Sequence, residues 1–274
     1  MPNAIPEALA SNLVKFGCRP NGDTIRTATG RFLMWGTDAP NEEAQPDLVR
    51  LATSIVASVA GHSQAVEKIR KDVELSQEGR ARRHRLATPP YVEPIAASAV
   101  ALVRLERGHG ANVVAFFDQD PAMPTSPVVA ILDAEARAWI NGAEAKELAP
   151  ILAEVSKGTP SPRQRRLVYA WRSAAYPLRM EFADHVDEAW RTLRRAEAPE
   201  QAAALDARGE ALIWLRTVTY AACRAFVEDS GIQPVELHDL IDTPALRDAL
   251  PLFFSKAQGE QLAGMSSAGV AAAA

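Results

Sequence analysis

The sequence predicts an α+β protein, predominantly helical, in which long helices pack with a small antiparallel β-sheet at about residues 98–146. Three observations carry this reading. In Asp47 to Ser76, the residues Leu48, Ala52, Ile55, Val59, His62, Val66, Ile69 and Val73 recur at alternating steps of four and three. That is the 3.5-residue period of a helix that lays one narrow seam against another helix. From Leu148 onward, broad apolar faces recur at helical spacing. Between them, residues 98–146 hold short Val-rich runs broken by glycine-containing turns, a strand signature.

In chain order, Ile5 to Phe16 reads as a short apolar helix, ended by the turn residues Pro20-Asn21-Gly22. Thr24 to Thr27 and Arg31 to Trp35 flank Ala28-Thr29-Gly30, which predicts a small hairpin with glycine at the residue needing positive φ. Pro46 and Asp47 then suit the first turn of the long helix, expected to run from 47 to 79. The basic stretch Arg80 to Arg85 follows, and Thr88-Pro89-Pro90 is read as a helix stop. Ala99 to Arg107 is Val-rich and sets Val100, Leu102 and Arg104 against Ala101, Val103 and Leu105; it breaks at Gly108-His109-Gly110 and resumes at Asn112 to Phe117. This reads as a second hairpin, although Ile95 to Leu105 also fits a buried helix. Asn141-Gly142, between short strand-like runs, is a strong hairpin signal.

Lys157-Gly158 closes a helix, and Ser161-Pro162-Arg163-Gln164 opens the next with a cap, an N1 proline and a capping-box glutamine. Leu167, Trp171, Leu178, Phe182, Val186, Trp190 and Leu193 give it one apolar face, which Pro177 must kink or split. A further helix is expected over Glu200 to Glu228, ended by Asp229-Ser230-Gly231. Short helices follow at Pro234 to Ile241, after Thr243-Pro244, and at Phe253 to Leu262. The division implied is 1–157, an α+β region, and 158–274, a helical region with a small apolar tail.

At 274 residues, 47% hydrophobic and 23% charged, the chain is ordinary globular material with room for a substantial core. Cys18 and Cys223 have no local partner and no ligand spacing, so a reducing compartment is expected. The start lacks a basic region followed by an apolar one, and no run of 18 apolar residues occurs. A cytoplasmic protein, free or built into a particle assembled there, is the expectation, with no membrane contact.

Candidate chemistry is sparse, and no catalytic residue is assigned. Val113 to Phe117 followed by Asp118-Gln119-Asp120 reads as an apolar strand ending in Asp-x-Asp, a Mg²⁺-holding arrangement of phosphate-transferring enzymes. The rest of that pattern is missing, and a strand-ending turn explains it as well. Glu181, His185 and Glu188 share a helix face at metal-ligand spacing, yet Phe182 occupies the place where a Glu-x-x-His motif needs Glu. His62 reads as a polar residue setting register in an apolar seam. Arg80, Arg82, Arg83 and Arg85, with Arg163, Arg165 and Arg166, would form a phosphate-binding patch if they converged. The net charge of −4 opposes this. No cofactor, metal or small-molecule substrate is identifiable.

The function expected is therefore a non-enzymatic structural or assembly protein of a bacterial or phage-like multi-protein particle, with protein partners. Trp35, Trp139 and Val270 in the tail are candidate interface residues. The alternatives are a nucleic-acid-associated protein using the Arg clusters and a metal-dependent hydrolase or phosphatase using Asp118 and Asp120.

Overall fold

The computed structural model describes residues 24–26, 32–34, 40, 43–119, 126–158, 160–174, 178–233, 236–237 and 244–254. Two three-residue strands, β1 (Thr24–Arg26) and β2 (Phe32–Met34), pair antiparallel with Ile25 opposite Leu33. The other described elements are helices: α1 (Pro46–Lys71), α2 (Gln77–Ala87), α3 (Pro89–Phe117), α4 (Pro127–Gly142), α5 (Ala145–Ser156) and α6 (Pro162–Arg172). A 3-10 turn (Met180–Phe182) then leads to α7 (Ala183–Glu197), α8 (Pro199–Ser230) and α9 (Pro244–Phe253).

The α+β class is therefore overturned, because the described residues between 98 and 146 form no sheet. They are the body of α3, all of α4 and the start of α5. The buried residues of α3, Val92, Ile95, Ala96, Ala99 and Leu102, recur at helical steps and outweigh the local alternation. Asn141 and Gly142 are the last two residues of α4, where small and polar residues end a helix as readily as they turn a hairpin. Pro89 and Pro90 do stop α2, but they also open α3, since the first turn of a helix spends no N–H that proline lacks.

The chain divides into two compact units. One comprises Met1–Gly108 and Arg208–Ala274; the other is His109–Ala207. Both α3 and α8 cross the boundary and supply residues to each unit.

In the first unit the seam of α1 is real as far as Val66: Leu48, Ala52, Ile55, Val59, His62 and Val66 are all buried. Its partners are within the chain, namely Ile95, Ala99 and Leu102 of α3, Leu215, Val218, Ala222 and Phe226 of α8, and Leu246 and Phe253 of α9. Gly61 lets α3 approach closely, because a Cβ there would lie 2.8 Å from the Tyr91 ring. The seam stops short of its expected end. α1 finishes at Lys71, and Val73 is 89% exposed. The Asp72 carboxylate accepts from the Glu74 N–H, and Ser76 Oγ accepts from the Gly79 N–H, so local side-chain caps break the helix and start α2. At the N-terminus of α1, Arg208 donates to the Asp47 carboxylate, with one contact of 2.8 Å. That guanidinium holds the Asp47 carboxyl below its ordinary range.

The second unit is made of short amphipathic helices. α4 to α7 bury Ile140, Leu148, Leu152, Val155, Leu167, Val168, Trp171, Val186, Trp190 and Leu193 against one another. Capping boxes open α5 (Glu144 with Glu147) and α6 (Ser161 with Gln164). Gly158, at φ 91°, closes α5. The apolar face expected as one helix from 163 to 196 is split between α6 and α7; Pro177 itself lies outside the described residues. α8 ends as expected, with Gly231 at φ 69°.

Candidate functional site

The densest group of buried polar side chains lies in the first unit, where α1, α2, α3 and α8 meet. His62 and Ser63 come from α1, His84 from α2, Tyr91 from α3, and Phe226 and Asp229 from α8; Thr88 sits between α2 and α3. His62 is fully buried, and Ser63, Thr88 and Asp229 are nearly so. The His62 ring packs edge-on against Phe226 at 4.8 Å, Tyr91 at 5.6 Å and His84 at 6.1 Å between centroids.

Hydrogen-bond roles fix the tautomers. The Asp229 carbonyl is only an acceptor, so His84 Nε2, 3.0 Å away, carries its proton and donates. The Thr88 hydroxyl spends its one proton on the His84 carbonyl at 3.1 Å. It must therefore accept from His62 Nε2, 3.3 Å away. His62 Nδ1 is buried with no acceptor for a second proton, so the ring is neutral with its lone pair there. Beside it, Ser63 Oγ donates to the Asp229 carboxylate. Burial is the largest influence on His62 and pushes its pKa down to about 4, against the pull of the Asp229 carboxylate.

Serine, histidine and aspartate are thus close together, but not in the order that activates a nucleophile. Ser63 gives its proton to Asp229, whereas nucleophilic catalysis needs the serine bonded to an imidazole base. The arrangement ties three helix ends to the side of α1. Sequence reasoning found His62 as a register-setting residue. It missed Ser63, His84, Thr88 and Asp229, because the bonds that join them to α1 or α8 span 26, 145 and 166 positions and share no spacing.

The other sequence candidates fall as follows. Asp118 is exposed and lies 3.8 Å from Arg172; Asp120 is outside the described residues. Glu181 sits in the 3-10 turn before α7, off the helix face assumed for it, and pairs with Arg179 at 2.6 Å. That pairing lowers its pKa. His185 and Glu188 are exposed on α7, and His185 faces the Phe182 ring at 6.2 Å. Among the described residues, no three His, Cys, Asp or Glu side chains are grouped to hold a metal ion. Cys223 is buried and unbridged, and burial raises its thiol pKa; Cys18 lies outside the described residues.

The Arg clusters divide by use. Arg80 donates twice to the Asp72 carbonyl, at 3.2 and 3.0 Å, and Arg83 pairs with the Asp72 carboxylate at 3.3 Å. Only Arg82 and Arg85 of that group are exposed without an ion pair among the described residues. In the second unit, Arg163 stacks on Trp139 at 5.6 Å, Arg165 faces Glu197, and Arg166 lies 3.9 Å from Asp133. Arg194 donates to the Phe116 carbonyl at 3.3 Å and covers the Phe116 ring at 5.1 Å, closing the end of α3.

A shallow cavity of about 380 Å³ in the first unit is lined by Val103, Glu106, Arg107, Arg216, Asp248 and Leu252. Its charges are already spent on each other: Arg107 pairs with Asp248 at 2.8 Å and Arg216 with Glu106 at 2.7 Å.

On the second unit, the first half of α4 exposes Val128, Ile131 and Leu132. At helical spacing the same stripe continues through Glu135 to Trp139, which is half-buried. Trp35 and Val270 lie outside the described residues. No single described helix is long and apolar enough to cross a membrane. Compared with known protein families, characterised proteins and solved structures, the chain matches none.

Proposed function

We propose that this chain is a non-enzymatic interaction protein that assembles with further copies of itself through the apolar stripe of α4. The observation that carries the reading is the exposure of Val128, Ile131 and Leu132, at 64, 59 and 38%, on one face of a helix whose adjoining face, with Ala136 and Ile140, is core. Three aliphatic side chains held in a row by a packed helix are a ready contact surface, and Trp139 at its far end adds an aromatic edge. A stripe of this kind is self-complementary under a two-fold axis, so a second copy is its simplest occupant.

Light scattering on the eluting full chain across micromolar concentrations tests this. The expected result is a mass above the 29.6 kDa of one chain, reduced to the monomer by Ile131→Glu. A monomer at every concentration overturns it.

A nucleic-acid reading has one support, the outward Arg82 and Arg85 on a helix that buries nothing. Its signature would be duplex binding that weakens with salt and is lost in the Arg82→Ala, Arg85→Ala double variant.

A further inference from the structure

We propose that the joint of α1, α2, α3 and α8 is an acid-sensitive latch: while His62 is neutral it holds α2 in place, and a proton on His62 releases α2. The argument starts from α2 itself. It has no buried residue, so apolar burial does not anchor it. Polar contacts do. Arg80 holds its first half to the Asp72 carbonyl, and His84 holds its second half to the Asp229 carbonyl at the end of α8. Thr88, just past its last residue, binds both the His84 carbonyl and His62.

His62 is the member of this set that cannot take a second proton where it stands. Its free Nδ1 is buried and has no acceptor beside it. Rings of Phe226, Tyr91 and His84 face it. The titratable groups turned toward it are His84 from α2, Tyr91 from α3 and Asp229 from α8. Of these, only the Asp229 carboxylate favours a charged imidazole, and Ser63 already donates to that carboxylate. A protonated His62 has two outlets. The ring turns toward Asp229 and gives up Thr88, or water enters the joint. Both break the link that ties the end of α2 to α1, and no apolar contact restores it.

Amide hydrogen exchange on the full chain, corrected for intrinsic rates, tests the latch between pH 7 and pH 4. Opening of residues 77–88 is expected to rise roughly tenfold or more as pH falls, relative to amides in the middle of α8. His62→Gln keeps a neutral side chain there and is expected to flatten that rise. Constant protection of 77–88 down to pH 4, or an equal rise in His62→Gln, overturns the latch. Should the variant not fold, the ring proton titration of His62 in the unaltered chain decides. A midpoint well below the ordinary histidine value supports the latch, and one at or above that value overturns it.

Discussion

The two units treat the N–H groups of their buried tryptophans differently. In the second unit, Trp171 Nε1 donates to the Leu178 carbonyl at 2.8 Å and Trp190 Nε1 to the Phe117 carbonyl at 2.6 Å. In the first unit, Trp214 Nε1 on α8 is buried without a partner; other buried polar atoms without one occur in both units, Thr219 Oγ1 and His62 Nδ1 in the first and His109 Nδ1 in the second. Distance from a helix end accounts for the contrast between the tryptophans. The C-terminal end of every helix leaves carbonyls without an intrahelical N–H. In the second unit both acceptors lie where a helix has stopped: Phe117 is the last residue of α3, and Leu178 lies between α6 and the 3-10 turn. The first unit is built on α1, α3 and α8, of 26, 29 and 32 residues, whose interior carbonyls are consumed. Its polar side chains therefore bind one another, or gather at the few ends present, as His84 does at Asp229.

The contrast can be broken or sharpened by measurement. The largest effect is expected from Phe226→Ala, which empties a fully buried site against His62. It should cost about 3–5 kcal/mol in denaturant unfolding of the full chain. The pH dependence of stability comes next. The folded-state pKa of His62, about 4, lies below its ordinary 6.5. Between those values the unfolded chain binds a proton that the folded chain refuses. Stability is thus full above 6.5 and falls as pH drops toward 4, by up to about 3 kcal/mol, and His62→Gln should remove that slope.

The tryptophans give the most direct comparison of the units. Trp190→Phe abandons the Phe117 carbonyl and should cost about 1–2 kcal/mol. Trp214→Phe removes an N–H that has no partner and should be neutral or mildly stabilising. Equal losses at both positions would refute the account of helix ends. Ser161→Ala deletes the cap of α6 and is expected to cost about 1 kcal/mol. Smallest is Arg208→Met, which releases a half-exposed pair with Asp47 and should cost about 0.5 kcal/mol, less at high salt.

Within the fold, legibility followed range. The capping box at Ser161 and Gln164, the stop at Gly231 and the seam of α1 were readable, because each is set by residues within a turn or two. The segment 98–146 was misread as sheet because Val-rich alternation and Asn-Gly are compatible with strands when taken locally. The helical run of Val92, Ile95, Ala99 and Leu102 decides only once α1 and α8 provide a surface for it. The overextension of α1 to 79 has a related cause. Val73 continues the seven-residue pattern, but nothing packs there, and Asp72 and Ser76 cap the backbone first. Of the polar joint, only His62 could be seen in advance.

By itself the sequence determined where helices start and stop wherever a short side chain reaches a nearby backbone group, since that energy is local and travels with the motif. It also determined that α1 must lie against other helices, because a 3.5-residue apolar period has no use in water. The tertiary structure alone decided that helices α3, α4 and α5, not strands, occupy the described residues between 98 and 146. It alone brought Ser63, His84, Thr88 and Asp229 to His62. Those outcomes depend on burial and on partners far apart in the chain, and a hydrogen bond between distant residues leaves no spacing to read.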